Sequence, residues 1–490
     1  MAPRHPAFAP PGRWVRFLLS PVVLIAGCTV VGPQYSEPAV PVPSTWNGSS
    51  ANASNADPGP GLSAWWQSLA DTTLTRLIEQ ALAANTDLRS AQARLREARA
   101  RRALAGTQAL PTLAAGTSAT ASKSSGQSGS GNHNDLYHAG FDAAWEADLF
   151  GGLRRGVEAA EADLAASQAD LEGVRVSLAA EVALSYVDLR AAQARLAIAQ
   201  ANLASQSETL QLTDWRAQAG LVGSLDVEQA RTSVEQTRAQ IPGLESARAQ
   251  AENRLAILTG QAPGSLSQEL AACVPIPVPP DSVAVGIPAH TLARRPDVRA
   301  AERRLAAETA RVGVAEAARY PGLNLSASIG LDALNPADLL TRAALAHSVL
   351  ARLVATVFDG GRLRQQVAIQ SAVQERALVG YEKTVLTALE EVENALAALA
   401  NGRAKAAALE QAVAAARNAA LLAQNSYAAG TVDFQTVLNT ERSLLATEDG
   451  LAAARAETAA ALIRLYKALG GGWSPQASSA TAPLPDNSPS

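Results

Sequence analysis

Residues 294–331 read RRPDVRAAERRLAAETARVGVAEAARYPGLNLSASIGL. Pro296 suits the first turn of a helix, where its missing N–H leaves no bond unmade. Val298, Ala301, Leu305, Val312 and Ala315 then recur at helical spacing. Pro321 ends that helix, and the period changes at once. Leu323, Leu325, Ala327, Ile329 and Leu331 alternate with Asn324, Ser326, Ser328 and Gly330, which is the period of a strand.

The same joint occurs earlier. Residues 85–113 read NTDLRSAQARLREARARRALAGTQALPTL, and ten of these 29 positions are identical to residues 295–323 at a constant offset of 210. Ala matches are cheap in an Ala-rich chain. The pairs Asp87/Asp297, Arg89/Arg299, Arg101/Arg311 and Pro111/Pro321 are not. The chain is a tandem repeat in which helix-then-strand is built twice.

The chain has 490 residues, more than one ordinary core needs, with 18% charged and 4% aromatic residues. Its small aliphatic side chains suit long, closely packed helices. A net charge of −4 gives no basic footprint for nucleic acid. There are two cysteines, Cys28 and Cys273. His133 and His138 have no third His or Cys nearby, so no metal site is expected, and no cofactor motif appears.

Residues 1–27 have the form of an export signal: Arg4, Arg13 and Arg16, then a short apolar run from Phe17 to Ala26. The run ends Leu24-Ile25-Ala26-Gly27-Cys28, which is similar to a bacterial lipobox. It makes Cys28 the expected lipidation site, carrying palmitate in the mature chain. Residues 28–63 read as an extended, acylated tether. Asp71 is the expected N-cap of a helix of about 13 residues. Repeat one is expected at 64–260, with strands at about 111–149 and a helical hairpin at 152–260. A Pro-rich linker, 261–293, contains Cys273. Repeat two is expected at 294–472, with strands at about 321–358 and a hairpin at 362–470. The tail, 473–490, has a disordered composition.

In the first β region Tyr137, Ala139, Phe141, Ala143, Trp145 and Ala147 share one face, and His138, Asp142 and Glu146 the other. A membrane barrel with a wet lumen shows such a pattern, and so does a half-buried soluble hairpin. Leu189, Leu196, Leu203 and Leu210 fall at strict sevens, a coiled-coil seam. Pro242 should kink or interrupt the return helix. Four strands per chain cannot close a barrel, and open edges are not tolerated in lipid. If the strands lie in lipid, several chains must share one barrel, and three would supply twelve strands.

The chain resembles outer-membrane efflux lipoproteins of the TolC/OprM family, closest to the NodT-like branch. The resemblance rests on Cys28 with Gly32-Pro33-Gln34-Tyr35, on Trp65-Trp66 with Asp71 and Leu74, and on GIPAHTLARRPDVRAAERRL (286–305). VGVAEAARYPGLNLSAS (312–328), FDGGRLR (358–364) and AGLVGSLDV (219–227) extend it. It implies a mainly α fold with a small membrane β-barrel: a homotrimer with a shared twelve-stranded barrel and a long periplasmic α-barrel of coiled coils. It implies an outer-membrane location, no enzymatic activity, and a passive exit duct for drugs or other small molecules. The partners implied are a periplasmic adaptor (membrane fusion) protein and an inner-membrane transporter of RND or similar type. The periplasmic tip would fall at Gly220, Leu221, Ser224, Asp226, Gly430, Thr431 and Asp433, with Asp433 a candidate for an acidic ring. His138, Asp142, Glu146, Asn324, Ser326 and Ser328 would line the barrel lumen. Two other functions fit the same residues: a duct for type I protein secretion, and a non-conducting envelope scaffold.

Overall fold

The structure, a computed structural model, describes residues 30–47, 53–54, 59–127 and 131–473. The signal segment, Cys28 and the tail from residue 474 lie outside the described residues. The helices are α1 (Thr72–Ala84), α2 (Thr86–Thr107), α3 (Gly152–Gln218), α4 (Ser224–Leu258), α5 (Pro288–Arg294), α6 (Pro296–Ala317), α7 (Arg362–Ala428) and α8 (Phe434–Ala468). The repeat is visible in their lengths. α2 and α6 have 22 residues each, α3 and α7 have 67, and α4 and α8 have 35. At 1.5 Å per residue, α3 and α7 are each about 100 Å long.

Six strands are described. β1 (Ala53–Ser54) and β4 (Val283–Ala284) form a short parallel pair. β2 (Thr112–Lys123), β3 (His133–Ala147), β5 (Gly322–Ala333) and β6 (Leu345–Val354) form an antiparallel sheet in that order, leaving β2 and β6 as edges. Pro111 and Pro321 stand directly before β2 and β5, each after a turn closed by an equivalent bond: Leu110 N–H to Thr107 O and Tyr320 N–H to Ala317 O. β6 ends at Val354, short of the strand expected to residue 358. The reason is its partner: Val354 pairs with Gly322, the first residue of β5 after Pro321, so residues 355–358 have no strand to lie against, and turn chemistry takes over beyond them. Gly360 and Gly361 adopt left-handed backbone, and the Asp359 carboxylate accepts from Gly361 N and Leu363 N at 2.8 and 2.9 Å, so the chain is already capping α7.

The fold divides into two compact units. Of the described residues, one holds those from Val30 to Tyr35 with Ala103–Ala159 and Glu308–Val373; the other holds those within Ser36–Arg102, Ala160–Ala307 and from Gln374 to Trp473. The second unit contains the main core, around Trp65, Leu74, Leu77, Ile78, Leu255 and Leu462. Asp71 caps α1, accepting from Leu74 N at 2.9 Å. Its other oxygen accepts from the Tyr186 hydroxyl at 2.7 Å. Burial, helped by that carboxylate, pushes the Tyr186 phenol up to about 12, so it stays a donor.

One pair of contacts explains the motif with which the repeat begins. Asn85 donates from Nδ2 to Leu258 O at 2.9 Å, at the end of α4, while its Oδ1 caps α2. At the equivalent position Arg295 donates from Nη1 to Ala468 O at 2.9 Å, at the end of α8. The rest of its guanidinium binds Asp297 and Glu391, the latter at 2.7 Å. Burial opposes the Asp297 charge, but the Arg295 guanidinium outweighs it and holds the carboxyl below its ordinary value. Each repeat thus fastens the end of its return helix to the start of its strand-bearing helix.

Three expectations change. The stretch read as a tether is extended but docked: Trp46 is buried and donates to Gly286 O at 3.1 Å, and Val40 and Val42 pack on Leu292, Val298 and Val385. The linker buries Leu266, Leu270, Ile276 and Val285 in the core, because a chain returning across helix ends must cover their apolar residues. Of the kink or interruption expected at Pro242, the interruption does not occur, since α4 runs through it from Ser224 to Leu258. Pro242 lies on an exposed face, where water can meet the carbonyl of Arg238 that it leaves unpaired.

The heptad leucines are also only part of the seam. Leu189 and Leu196 are buried, but Leu203 and Leu210 are only half-buried. The buried line passes instead through Asn202, Gln206, Thr209 and Thr213, since a straight helix drifts about 20° per heptad from a 3.5 repeat. Thr237 donates to Gln206 Oε1 at 2.7 Å, and Glu441 accepts from Thr209 at 2.8 Å and Gln424 at 2.9 Å. One polar layer therefore ties α3, α4, α7 and α8 together.

Asn85→Ala would strand the buried Leu258 carbonyl and uncap α2, a loss of about 1–3 kcal/mol. Hydrogen exchange should then accelerate at the end of α4 and the start of α2, while the end of α8 keeps its protection.

Candidate functional site: the two sheet faces and the helix tips

The strand register decides which side chains share a face. Across β3 and β5, His138 stands opposite Asp332, Asp142 opposite Ser328, Ala144 opposite Ser326 and Glu146 opposite Asn324. All six residues expected in the lumen therefore lie on one face. His138 Nδ1 donates to Asp332 Oδ1 at 2.7 Å, and the Ser328 and Ser348 hydroxyls are 2.9 Å apart across β5 and β6. Sequence reading had not singled out Asp332, which the alternation places on the polar side. His133 pairs instead with Asp135, at 3.0 Å. Among the described residues no group of three or more potential metal ligands gathers.

On that same face, Gly140 and Gly330 oppose each other. A Cβ on Gly140 would stand 2.7 Å from Gly330 Cα, so the strands approach more closely there than side chains allow. The opposite face is apolar and uncovered. Leu113, Phe141, Ile329, Val349 and Leu353 are exposed on it, Val349 to 83%. No described helix is long and apolar enough to cross a membrane.

The helix hairpins turn alike. After α3, Gly220 (φ 71°) and Leu221 send their N–H groups back to Ala217 O and Arg216 O. After α7, Gly430 (φ 77°) and Thr431 do the same to Tyr427 O and Ser426 O. A left-handed residue after the last turn is what glycine supplies without strain. The starts of the return helices differ. Asp433 is the N-cap of α8, accepting from Thr436 N at 3.0 Å and the Thr436 hydroxyl at 2.6 Å. Those bonds hold its carboxyl below the ordinary value. The equivalent cap of α4 is Gly223, with no side chain to offer. Ser224 is therefore the first helical residue, exposed beside the exposed Leu221, and Asp226 lies in the first turn.

A contact that sequence reading missed joins the two hairpins. The Arg216 guanidinium lies 4.4 Å from the Tyr427 ring centroid and donates to the Tyr427 carbonyl. Phe434 packs edge-on against the same ring, with centroids 5.8 Å apart. Arg216 aligns with Ser426 and Tyr427 with Ala217. The signal available was a mismatch between copies, not a shared motif.

The family model described as "Outer membrane efflux protein" matches residues 77–261 and 287–471, two segments that begin 210 residues apart. The chain belongs to the outer membrane efflux protein family. It is 35% identical over 463 residues to nodulation protein T of Rhizobium leguminosarum bv. trifolii, covering 93% of this chain and 97% of that one. It is 35% identical over 439 residues to the pyoverdine export outer membrane protein OpmQ of Pseudomonas putida, covering 88% and 92%. Among solved structures, the outer-membrane channel OprN is similar with a TM-score of 0.86 and 38% identity, covering 90% of this chain and 99% of that one. The TolC-like fold and the outer-membrane location follow from this membership.

In this efflux protein Asp433 has two separable properties, a charge and a cap. Asp433→Asn keeps a capping acceptor and removes the charge, and Asp433→Ala removes both. Exchange at the first turn of α8 should rise in the Ala variant alone. A rise in both would mean that the charge, not the cap, holds the turn.

Proposed function

We propose that the chain is the exit duct of a tripartite efflux pump, working as a homotrimer whose strands close one twelve-stranded barrel. The observation that carries this reading is the sheet itself: two free edges, one polar face and one exposed apolar face. In lipid each edge must be paired, and antiparallel β2 and β6 of neighbouring copies can pair with each other. A second observation points the same way. Phe150 stacks on Tyr320 with centroids 4.7 Å apart, closing one strand–helix joint within the chain. At the other joint the repeat offset slips by two, so that Phe358 of FDGGRLR answers Phe150; Phe358 and Leu110, the residue aligned with Tyr320, are 89% and 60% exposed. A neighbouring copy would close that joint in the same way.

The duct binds no cofactor and performs no chemistry. Small molecules delivered by an inner-membrane transporter, of RND or similar type, would pass a periplasmic adaptor docked at the tip. Gly220, Leu221, Ser224, Asp226, Gly430, Thr431 and Asp433 would face that adaptor, and the polar sheet face would line the lumen. The export named for OpmQ supports this reading. The Arg216–Tyr427 contact would hold the two hairpins together while the duct is shut.

Reconstituted trimer should conduct in planar bilayers, and Arg216→Ala should raise its conductance. A trimer that stays silent even with Arg216→Ala would favour a non-conducting scaffold. The faces can be tested separately. Ile329→Lys, on the apolar face, should cost about 2–4 kcal/mol of barrel stability and lower the yield of folded protein in membranes. Ser328→Lys, on the other face, should insert normally and shift ion selectivity towards anions.

A further inference from the structure

The segment two residues beyond Cys28 is not free. Val31 N–H donates to Phe150 O at 3.1 Å. The Arg155 guanidinium, with only 5% of its side chain exposed, donates from Nε to Val31 O and from Nη2 to Gly32 O, both at 3.2 Å. Its Nη1 is held by Glu158 at 2.7 Å. The fit around the segment is close. Gly32 has φ 91°, and a Cβ there would stand 2.4 Å from Gly313 Cα; a Cβ on Gly313 would stand 2.9 Å from Arg155 Nε.

We propose that Arg155 and Gly313 form a receptor for the chain's own N-terminal segment, which fixes the lipid-bearing Cys28 at the base of β3. The proposal rests on the lipoprotein reading of Cys28. A guanidinium fork suits the task, because it binds two successive carbonyls whatever side chains they carry. Val30 is two residues along the chain from Cys28, and two residues span at most about 7 Å, so a clasp on Val31 and Gly32 leaves a lipid on Cys28 only a short tether. The acyl chains would then enter the membrane beside the barrel instead of at the end of a long tether.

The repeat supplies an independent argument. A chain has two equivalent joints but only one N-terminus. Arg155 aligns with Gln365, and Gly313 with Ala103. The copies therefore differ at both residues of the receptor.

The test uses full-length protein in outer membranes with Cys273→Ser, since Cys273 is exposed and free. A nitroxide on Gln34→Cys reports mobility, and radiolabelled palmitate reports lipidation. Arg155→Ala and Gly313→Leu should each turn a slow spectrum into a mainly fast one, with palmitate incorporation unchanged. Gln365→Ala should leave the spectrum slow. A spectrum that stays slow in Arg155→Ala and Gly313→Leu would overturn the receptor. So would equal mobility in Gln365→Ala, or release of the segment by Cys28→Ala with Arg155 intact. Absence of palmitate in the parent chain would sink the lipoprotein reading and the anchoring role, while the spectra would still report on the clasp itself.

Discussion

A strand satisfies its backbone only where a partner lies alongside. β2 and β6 each have one such partner, so each leaves a row of N–H and C=O groups unmet. In water that omission is nearly harmless. In hydrocarbon each unmet group costs several kcal/mol, and no other part of the chain could offset such a row. The outer-membrane location therefore makes a single copy incomplete. It also accounts for the apolar face, whose exposed Phe141, Ile329 and Val349 would be a liability in water and are at home in lipid.

The internal repeat meets this constraint with few kinds of part. Its regular features are those that close a helix end or a joint: the glycine turns at Gly220 and Gly430, the bonds from Asn85 and Arg295 to the return helices, and the turns before Pro111 and Pro321. Its irregular features are those of which one per chain suffices. Arg155 and Gly313 receive a single N-terminus, Arg216 and Tyr427 join two hairpins once, and Asp433 caps one return helix where Gly223 stands in the other. Between the apolar core and the tips, a polar layer replaces leucine packing. Such a layer specifies register through hydrogen bonds and adds less to stability than an apolar one.

Much of this was legible in residue order because the elements are long and their signals local. A proline that ends one period, an alternation of nine residues, an aspartate before an apolar run and a constant offset of 210 need no knowledge of what packs where. The helices, the strand faces and the two copies could all be read this way. The seam of α3 could not. Leu203 and Leu210 are the more apolar residues, yet Gln206 and Thr209 are buried, because helix drift and three neighbouring helices choose the contact line. The tether and the linker misled for a related reason. Their Pro-rich composition describes a chain without regular bonds, and says nothing about the surface on which Trp46 or Leu270 comes to rest.

The sequence by itself determined the local geometry: where each helix begins and stops, which residues alternate, and that the pattern is made twice. These follow from backbone sterics and side-chain period, which act over a few residues. Only the tertiary structure decided which side chains meet across long separations. His138 finds Asp332, Arg295 finds Ala468 and Glu391, Arg216 finds Tyr427, and Arg155 finds the carbonyls of Val31 and Gly32. Such contacts depend on strand register and helix packing, which arise from the whole chain at once and leave no local period to read. The opening joint at Pro321 shows both levels. Residue order marks it as a change from helix to strand, and the fold makes it the place where a chain passes from helical packing to a sheet that needs neighbours.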